Sequence, residues 1–285
     1  MQIEMNTATN DTGAIERPRL WRLALQVDVD SLRVVMWSTV EDSSLRQFVL
    51  PLDPTLPLNK ALEEAIYAAP VLLSDFAAVD VVVRTTAFMP VPSGMDADLQ
   101  QRLVEYEGIV DNMPMTVVKC DTIAGTDIDM LWTLDADTAR FLARTFRNPP
   151  VVCHLTPLLR YFCNKSVLGN SGKLYAHFHQ SASQRMVDII VFGADGRVAM
   201  ATTHACPTDE DALYYILASA KECGLDITSD EILLCGNGAA RDALMPLLRR
   251  YAAYVMPVIF PSAAFRAGRE ALNAPFPLVI LPLCE

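Results

Sequence analysis

Four absences limit what this chain can be. The sequence has no cluster of Lys and Arg of the size that marks a DNA- or RNA-binding face. No apolar run approaches the roughly 20 residues that a helix needs to cross a bilayer. The N-terminal residues lack the basic start and the apolar stretch of a signal peptide, and no C-x-x-C motif occurs. We therefore expect no membrane span and take a cytoplasmic location as the default.

Positive charge is also scarce, with 23 Lys and Arg against 34 Asp and Glu and a formal net charge of −11. Such an acidic chain repels a phosphate backbone, so we expect no nucleic-acid partner. The seven cysteines are an odd number, and several lie in apolar runs such as 232–235. Buried free thiols in a reducing compartment explain this pattern better than a disulfide framework does.

An internal sequence repeat, called the echo below, is the most informative feature that is present. Residues 21–69 and 172–220 follow the same pattern at an offset of 151 positions. Each stretch has three short apolar runs of strand character, two tight turns and an amphipathic helix. Further apolar runs at 79–88 and 231–235 are typical of buried parallel strands. The duplication predicts an α/β protein with two related half-domains that face each other across a cleft.

The loop signals along the chain divide it into three parts. Residues 1–19 are polar, and we expect a flexible N-terminal segment. The first half-domain spans 20–168 and contains an inserted region of helix and hairpin at about 89–148, before a Ser-, Gly- and Asn-containing boundary. The second half-domain spans 169–285 and ends in a C-terminal wrap, with a last short strand predicted at 278–283.

Four segments carry a family resemblance. They are the Phe-Met-Pro-Val-Pro at 88–92, the Asp-Glu-Asp-Ala-Leu-Tyr-Tyr-Ile-Leu at 209–217, the Leu-Leu-Cys-Gly-Asn at 233–237 and the Leu-Pro-Leu-Cys-Glu at 281–285. Through them the chain resembles the DUF3822 family of Bacteroidetes proteins of unknown function, over nearly the whole chain after residue 20. The duplicated β-β-β-α-β plan looks like that of the actin, sugar kinase and Hsp70 superfamily. The resemblance implies two ribonuclease-H-like half-domains in an actin-like arrangement, and it implies no established activity.

The superfamily resemblance also implies three candidate ligand-binding loops, because active members hold ATP with two phosphate loops and an adenosine loop. In the first loop an Asp orients a hydrated Mg²⁺, and a Gly lets backbone N–H groups approach the phosphate. Asp28 matches that Asp, and Ser31 matches the hydroxyl residue. Asp30 stands where the Gly is expected, so its charge and side chain oppose phosphate binding.

The other two loops also differ in how well they match the superfamily pattern. The second, at 179–183, has neither Asp nor Gly. The third, at 234–240, resembles the adenosine loop, although its pattern is also that of an ordinary strand-to-helix turn. The candidate cofactor-binding residues of the three loops are Asp28, Asp30, Ser31, Ser181, Gly236, Asn237 and Gly238. We expect no cofactor, and the alternative is ATP with Mg²⁺, with Asp28 as the catalytic residue.

A histidine pair offers a second kind of site. His177 and His179 share one face of a strand, because side chains alternate along a strand. With His204 or Cys206 from the neighbouring strand they would form a zinc site. Histidine pairs without a third ligand at a set spacing are more often ordinary strand residues, so we predict no metal site.

Two degenerate phosphate loops in an intact duplicated framework favour a non-catalytic function. We expect a cytoplasmic binding or scaffold protein with a degenerate actin-like ATPase fold. Its partner would be another protein or a second copy of the chain. The alternatives are an ATP- and Mg²⁺-binding ATPase or kinase-like enzyme that uses the cleft, and a self-associating assembly protein.

Overall fold

The computed structural model describes residues 15–107, 115–166, 170–180 and 183–283. The chain forms two compact units that alternate along the sequence. Unit 1 contains the residues up to Arg84, then Asp137–Val152 and Pro261–Val279. Unit 2 contains Thr85–Ala136, Cys153–Phe260 and the residues from Ile280 onward.

The domain bounds predicted from the sequence, 20–168 and 169–285, stay a prediction. The flexible segment predicted at 1–19 falls mostly outside the described residues, which begin at Ile15. Within the described residues, no helix combines the length and the apolar character that crossing a membrane requires.

The described strands and α-helices have the following bounds. The strands are β1 (Trp21–Val27), β2 (Ser31–Ser38), β3 (Arg46–Pro51), β4 (Ala78–Val83), β5 (Phe88–Pro92), β6 (Thr116–Thr122), β7 (Ile128–Asp135), β8 (Val151–Cys153), β9 (Lys173–Gln180), β10 (Arg185–Phe192), β11 (Val198–Ala205), β12 (Glu231–Gly236) and β13 (Tyr254–Pro257). The helices are α1 (Leu58–Ala68), α2 (Ala97–Tyr106), α3 (Ala136–Thr145), α4 (Leu155–Ser166), α5 (Asp209–Glu222), α6 (Gly238–Leu248) and α7 (Phe276–Ile280).

The sheet of unit 1 has the strand order β3-β2-β1-β4-β8. β2 pairs antiparallel with both β1 and β3, while β4 pairs parallel with β1. Leu23, Ala24 and Leu25 of β1 are all fully buried, so both faces of this central strand are covered. The helix α1 buries Leu62 and Ile66, which are four residues apart and therefore lie on one helix face.

Unit 2 repeats this plan with the strand order β11-β10-β9-β12-β13. β9 again pairs antiparallel with its hairpin partner β10 and parallel with β12. The helix α5 begins with a capping box between Thr208 and Asp211, and it buries Ala212, Ile216 and Ala220 against the sheet. The predicted duplication of a β-β-β-α-β unit in an α/β protein is therefore confirmed.

A third, three-stranded antiparallel sheet in unit 2 has the order β5-β7-β6. The hairpin of β6 and β7 was expected, but β5 was not, because the sequence pattern extended the preceding strand to residue 88. β4 ends at Val83, and Phe88 begins a new strand in a different sheet. β5 is an edge strand, and both Pro90 and Pro92 lie in it.

The C-terminal strand predicted at 278–283 is wrong. Phe276–Ile280 is the short helix α7, and Leu281–Leu283 is a 3-10 turn. A short apolar run is consistent with a buried strand or a buried helix, and Pro277 in the first turn favours the helix.

Candidate functional site

The first candidate loop is the turn between β1 and β2 in unit 1. The backbone N–H of Asp28 donates to the carbonyl of Ser31 over 2.9 Å and closes the turn. Val29 at the tip is 71% exposed, while the Asp28 side chain turns inward and is 2% exposed. Asp28, Asp30 and Ser31 are therefore together in one tight turn, as the sequence predicted.

The Asp28 carboxylate is held by three basic or amide groups. The Nη1 of Arg84, just after β4, lies 3.1 Å from Oδ1, and the Nε of Arg33, on β2, lies 3.3 Å from Oδ2. Gln26 Nε2 donates to Oδ2 over 3.1 Å. The two arginine side chains are only 12% and 29% exposed, so solvent screens these pairs weakly.

These contacts test whether Asp28 fits the metal-orienting role that the resemblance implies. An Asp in that role needs a carboxylate that is open to the waters around Mg²⁺. Here the carboxylate is buried and its charge is compensated by fixed guanidinium groups. The hydroxyl of Ser31 donates to Asp30 Oδ1 over 3.1 Å, so it is turned toward a side chain that repels phosphate. The residues of this turn do not fit a Mg²⁺–nucleotide complex.

The space beside the turn is also small. Asp28, Asp53, Pro54, Leu56 and Arg84 are among the residues that line a pocket of about 160 Å³. Pockets that hold drug-sized ligands have volumes of roughly 300–1,000 Å³. The carboxylate of Asp53 accepts hydrogen bonds from the backbone and hydroxyl of Thr55. It thus closes a local turn at the edge of the pocket.

The second and third candidate loops lie in unit 2. Ser181 lies outside the described residues. In the third loop Gly236 has a φ of +87°, and a Cβ there would lie 2.1 Å from the carbonyl oxygen of Phe178 on β9. Asn237 donates its backbone N–H to that same oxygen over 2.7 Å, and its side chain accepts from the N–H of Ala240 and caps α6. Gly236 and Asn237 are thus explained by strand packing and helix capping.

A second polar cluster, the His–Asp cluster, consists of His154, His177, His179, Asp188 and Thr203, all in unit 2. Asp188 on β10 lies directly opposite His177 on β9 and Thr203 on β11, so the three side chains share one face of the sheet. His179 follows two residues after His177 on the same face. His154 comes from the junction of β8 and α4.

The carboxylate of Asp188 is the centre of the His–Asp cluster. Its Oδ2 lies 2.8 Å from His177 Nδ1, and its Oδ1 lies 3.0 Å from His179 Nε2 and 3.2 Å from His154 Nε2. The Thr203 hydroxyl donates to Oδ1 over 2.9 Å. Burial raises the pKa of the Asp188 carboxyl, but the imidazoles of His179 and His154 outweigh it, and the pKa lies well below its ordinary value.

The zinc ligands considered from the sequence need a correction. His204 and Cys206 do not join His177 and His179, because they belong to the other face of the sheet. The ring of His204 stacks on Tyr215 with centroids 4.2 Å apart, and Cys206 is fully buried in the hydrophobic core under α5. The sequence missed Asp188 and His154. The strand register would have indicated Asp188, whereas nothing local in the sequence indicates His154.

Comparisons with known proteins agree with this fold. A family model described as "Protein of unknown function (DUF3822)" matches residues 10–255. No curated protein sequence matches the chain. A crystal structure from Bacteroides thetaiotaomicron VPI-5482, a protein with actin-like ATPase fold and unknown function, has a TM-score of 0.76 at 21% identity and covers 96% of this chain and 100% of its own.

A second solved structure is the PilM–PilN type IV pilus biogenesis complex. It has a TM-score of 0.50 at 14% identity, and the match covers 94% of this chain and 98% of that one. At these identities the likeness shows the fold alone. The chain therefore has an actin-like ATPase fold, and this fold by itself assigns no chemistry to it.

Proposed function

Since the chain belongs to the DUF3822 family of proteins of unknown function, we propose from its own geometry that it is a non-catalytic binding or scaffold protein on an actin-like ATPase fold. Its partner is another protein or a second copy of the chain. The observation that carries this proposal is the clamp on Asp28, which consists of the contacts of Arg33, Arg84 and Gln26 with its carboxylate. Asp28 is the residue that matches the phosphate-loop Asp.

The clamp argues against nucleotide hydrolysis for an energetic reason. Removing one member of a buried ion pair leaves an uncompensated charge and typically costs about 3–5 kcal/mol. A metal ion that recruits Asp28 must displace Arg33 and Arg84 and bear that cost. The ATP-binding alternative therefore needs a rearrangement of the turn in which both guanidinium groups give up their contacts with Asp28.

Exposed apolar side chains on unit 2 support a protein partner. β13 is an edge strand, and its Tyr254 and Met256 are 51% and 38% exposed. Tyr251 just before the strand and Ile259 just after it are 53% and 88% exposed. Grouped apolar exposure of this kind marks interaction surfaces more often than isolated exposed residues do. The pilus neighbour is named as a complex, which is a precedent for partner binding on this fold.

The proposal also keeps the cytoplasmic location and the absence of a nucleic-acid partner that the sequence predicts. Free buried thiols at Cys153, Cys163, Cys206 and Cys235 support a reducing compartment. The formal charge of −11 supports the absence of a nucleic-acid partner.

Thermal unfolding with millimolar Mg²⁺–ATP, Mg²⁺–ADP and Mg²⁺–GTP tests the proposal. We expect no change in Tm with any of the three. A ligand at a hundredfold excess over its Kd stabilises by about 2.7 kcal/mol. For a chain of this size, that corresponds to a rise in Tm of roughly 4–5 °C.

The matched variants are Asp28→Asn and Asp53→Asn, which remove one buried and one exposed carboxylate beside the same pocket. A nucleotide-induced rise in Tm that Asp28→Asn abolishes and Asp53→Asn preserves would overturn the proposal in favour of the ATPase alternative. Light scattering of the purified chain then decides between a heterologous partner and self-association. A stable dimer that Ile259→Asp dissociates would assign the β13 edge to a second copy.

A further inference from the structure

We propose that His177, His179 and Asp188 form a binding site for one divalent first-row transition-metal ion, in the class of Zn²⁺, with His154 and Thr203 orienting the carboxylate. The site lies wholly within unit 2, on two adjacent strands and their neighbours. It does not depend on the proposed function, because its test measures metal binding alone.

The ligand atoms already lie close to a coordination geometry. One nitrogen from each of the two imidazoles and one carboxylate oxygen of Asp188 all lie within 4.8 Å of one another. Zinc–nitrogen and zinc–oxygen bonds of about 2.0–2.2 Å place tetrahedral ligands roughly 3.3–3.5 Å apart. His177 Nδ1 lies 2.8 Å from Asp188 Oδ2, and His179 Nε2 lies 3.0 Å from Oδ1. Each imidazole therefore has to move back by only a few tenths of an ångström from the carboxylate oxygen that it now contacts.

The donor set selects the class of metal. Two imidazoles and one carboxylate suit Zn²⁺ and its first-row neighbours, whereas Mg²⁺ and Ca²⁺ prefer sites made of oxygen ligands alone. Three protein ligands leave a fourth coordination position for water or another small ligand. The site is buried, with His177, His179 and Asp188 only 3%, 7% and 1% exposed, so bulk water competes weakly with the protein ligands.

The charge of Asp188 gives a second, independent reason. A buried carboxylate needs a positive charge nearby, because taking it out of water is costly. The hydrogen-bonding partners of Asp188 are three imidazoles and one hydroxyl. A divalent ion held between Asp188 and the two imidazoles places a positive charge directly beside this carboxylate.

Unit 1 also contains a buried carboxylate, that of Asp28, and there its charge is balanced by amino-acid side chains alone. Gln26 lies opposite Arg33 across β1 and β2, just as His177 lies opposite Asp188 across β9 and β10. The echo offset places Asp28 at the position of His179. In unit 1 the buried carboxylate has arginine partners, whereas in unit 2 it has groups that ligate metals.

The surroundings of the site hold the carboxylate in place. Thr203 Oγ1 and His154 Nε2 both lie within hydrogen-bond distance of Asp188 Oδ1, and they lie 3.2 Å from each other. Such contacts fix the orientation of a ligand and are typical of protein metal sites. Because the ligands lie on paired strands of a buried sheet, the apo site is already ordered for binding.

The experiment titrates chelator-treated full-length protein with Zn²⁺ by calorimetry, and with Co²⁺ as a spectroscopic probe. We expect one equivalent of either ion to bind and Zn²⁺ to raise Tm, while Mg²⁺ and Ca²⁺ leave it unchanged. His179→Gln and Asp188→Asn abolish this binding. His154→Gln and Thr203→Val weaken it by roughly 10–100-fold, as expected for residues that orient a ligand. His204→Gln is the matched control, since its ring faces Tyr215, and it leaves binding unchanged.

The wild-type protein gives a readout that does not depend on the folding of any variant. X-ray absorption of the zinc complex reports imidazole scattering with nitrogen and oxygen neighbours. A sulfur neighbour would assign the ion to one of the cysteines and overturn the proposal. The same conclusion follows if no stoichiometric Zn²⁺ binds, or if a folded His179→Gln variant binds it as the wild type does.

Discussion

Replacing Gly236 by alanine tests whether the Gly-Asn-Gly loop is built for strand packing or for a ligand. The added Cβ would lie 2.1 Å from the carbonyl oxygen of Phe178 and 2.8 Å from the ring of His177. Backbone atoms cannot yield as a flexible side chain can, so β9 and β12 must separate locally. Gly236 also has a φ of +87°, a conformation that costs a non-glycine residue about 1–2 kcal/mol.

The expected loss of stability has three contributions. The strand shift breaks or lengthens the 2.7 Å hydrogen bond from Asn237 N–H to Phe178 O, which contributes about 1 kcal/mol. Together with the strained φ and the overpacking, which typically costs about 1–3 kcal/mol, the Gly236→Ala variant should lose about 3–6 kcal/mol. This is a large part of the stability of an ordinary domain.

Gly238→Ala, two residues further along, is the matched control. Its Cβ meets only the end of the Arg241 side chain, at 3.9 Å, and its position in the first turn of α6 favours alanine. The variant should be as stable as the wild type or slightly more stable. Urea and thermal unfolding followed by circular dichroism measure both effects. The packing argument would be refuted if the free energies of unfolding of the two variants agreed to within about 0.5 kcal/mol, which is about the error of such measurements.

Two other predictions use charged and titratable groups. Asp28→Asn keeps the shape of the side chain but removes the negative charge that both Arg33 and Arg84 contact, so thermal unfolding should show a loss of about 3 kcal/mol. The exposed control Asp53→Asn should lose much less, and equal losses would contradict the clamp. Tyr175 is buried against Phe162, and burial raises the pKa of its phenol to about 12. The folded state therefore holds this proton more tightly than the unfolded chain, whose tyrosines titrate near pH 10. Its contribution to stability is complete below about pH 10 and is lost as the pH rises to about 12, with a slope of up to about 1.4 kcal/mol per pH unit. Tyr175→Phe should flatten this alkaline decline, whereas Tyr214→Phe, which alters a phenol on a 67% exposed residue, should leave it unchanged.

The repeated part of the fold was predictable because hydrophobic period and turn chemistry act locally. The three strands and helix of each echo, the capping residue Thr208 and the hairpin of β6 and β7 all follow from patterns within about 15 residues. The failures occur where an apolar run changes its partner. Val83 and Phe88 belong to one apolar run of the sequence, yet they lie in different sheets. Periodicity reports burial, and it does not report which sheet buries the residue.

The candidate sites were predictable only in their local members. Asp28, Asp30 and Ser31 form one turn, and His177 and His179 share a strand face, because both relations span four residues or fewer. The residues that decide the chemistry come from other parts of the chain: Arg84 from the position just after β4, and His154 from the junction of β8 and α4. Their contacts depend on strand register and packing, which one sequence does not reveal.

The two prolines of β5 have a consequence for how unit 2 avoids unwanted association. Ser93 N–H points toward β7, where it donates to Asp127 O, so alternation directs the backbone nitrogens of positions 90 and 92 away from β7. Both positions are proline and carry no hydrogen there. A foreign strand, or β11, which lines the same cavity of about 350 Å³, meets an edge without those two donors. The small sheet is thereby protected against edge-to-edge aggregation at no cost to its own ladder.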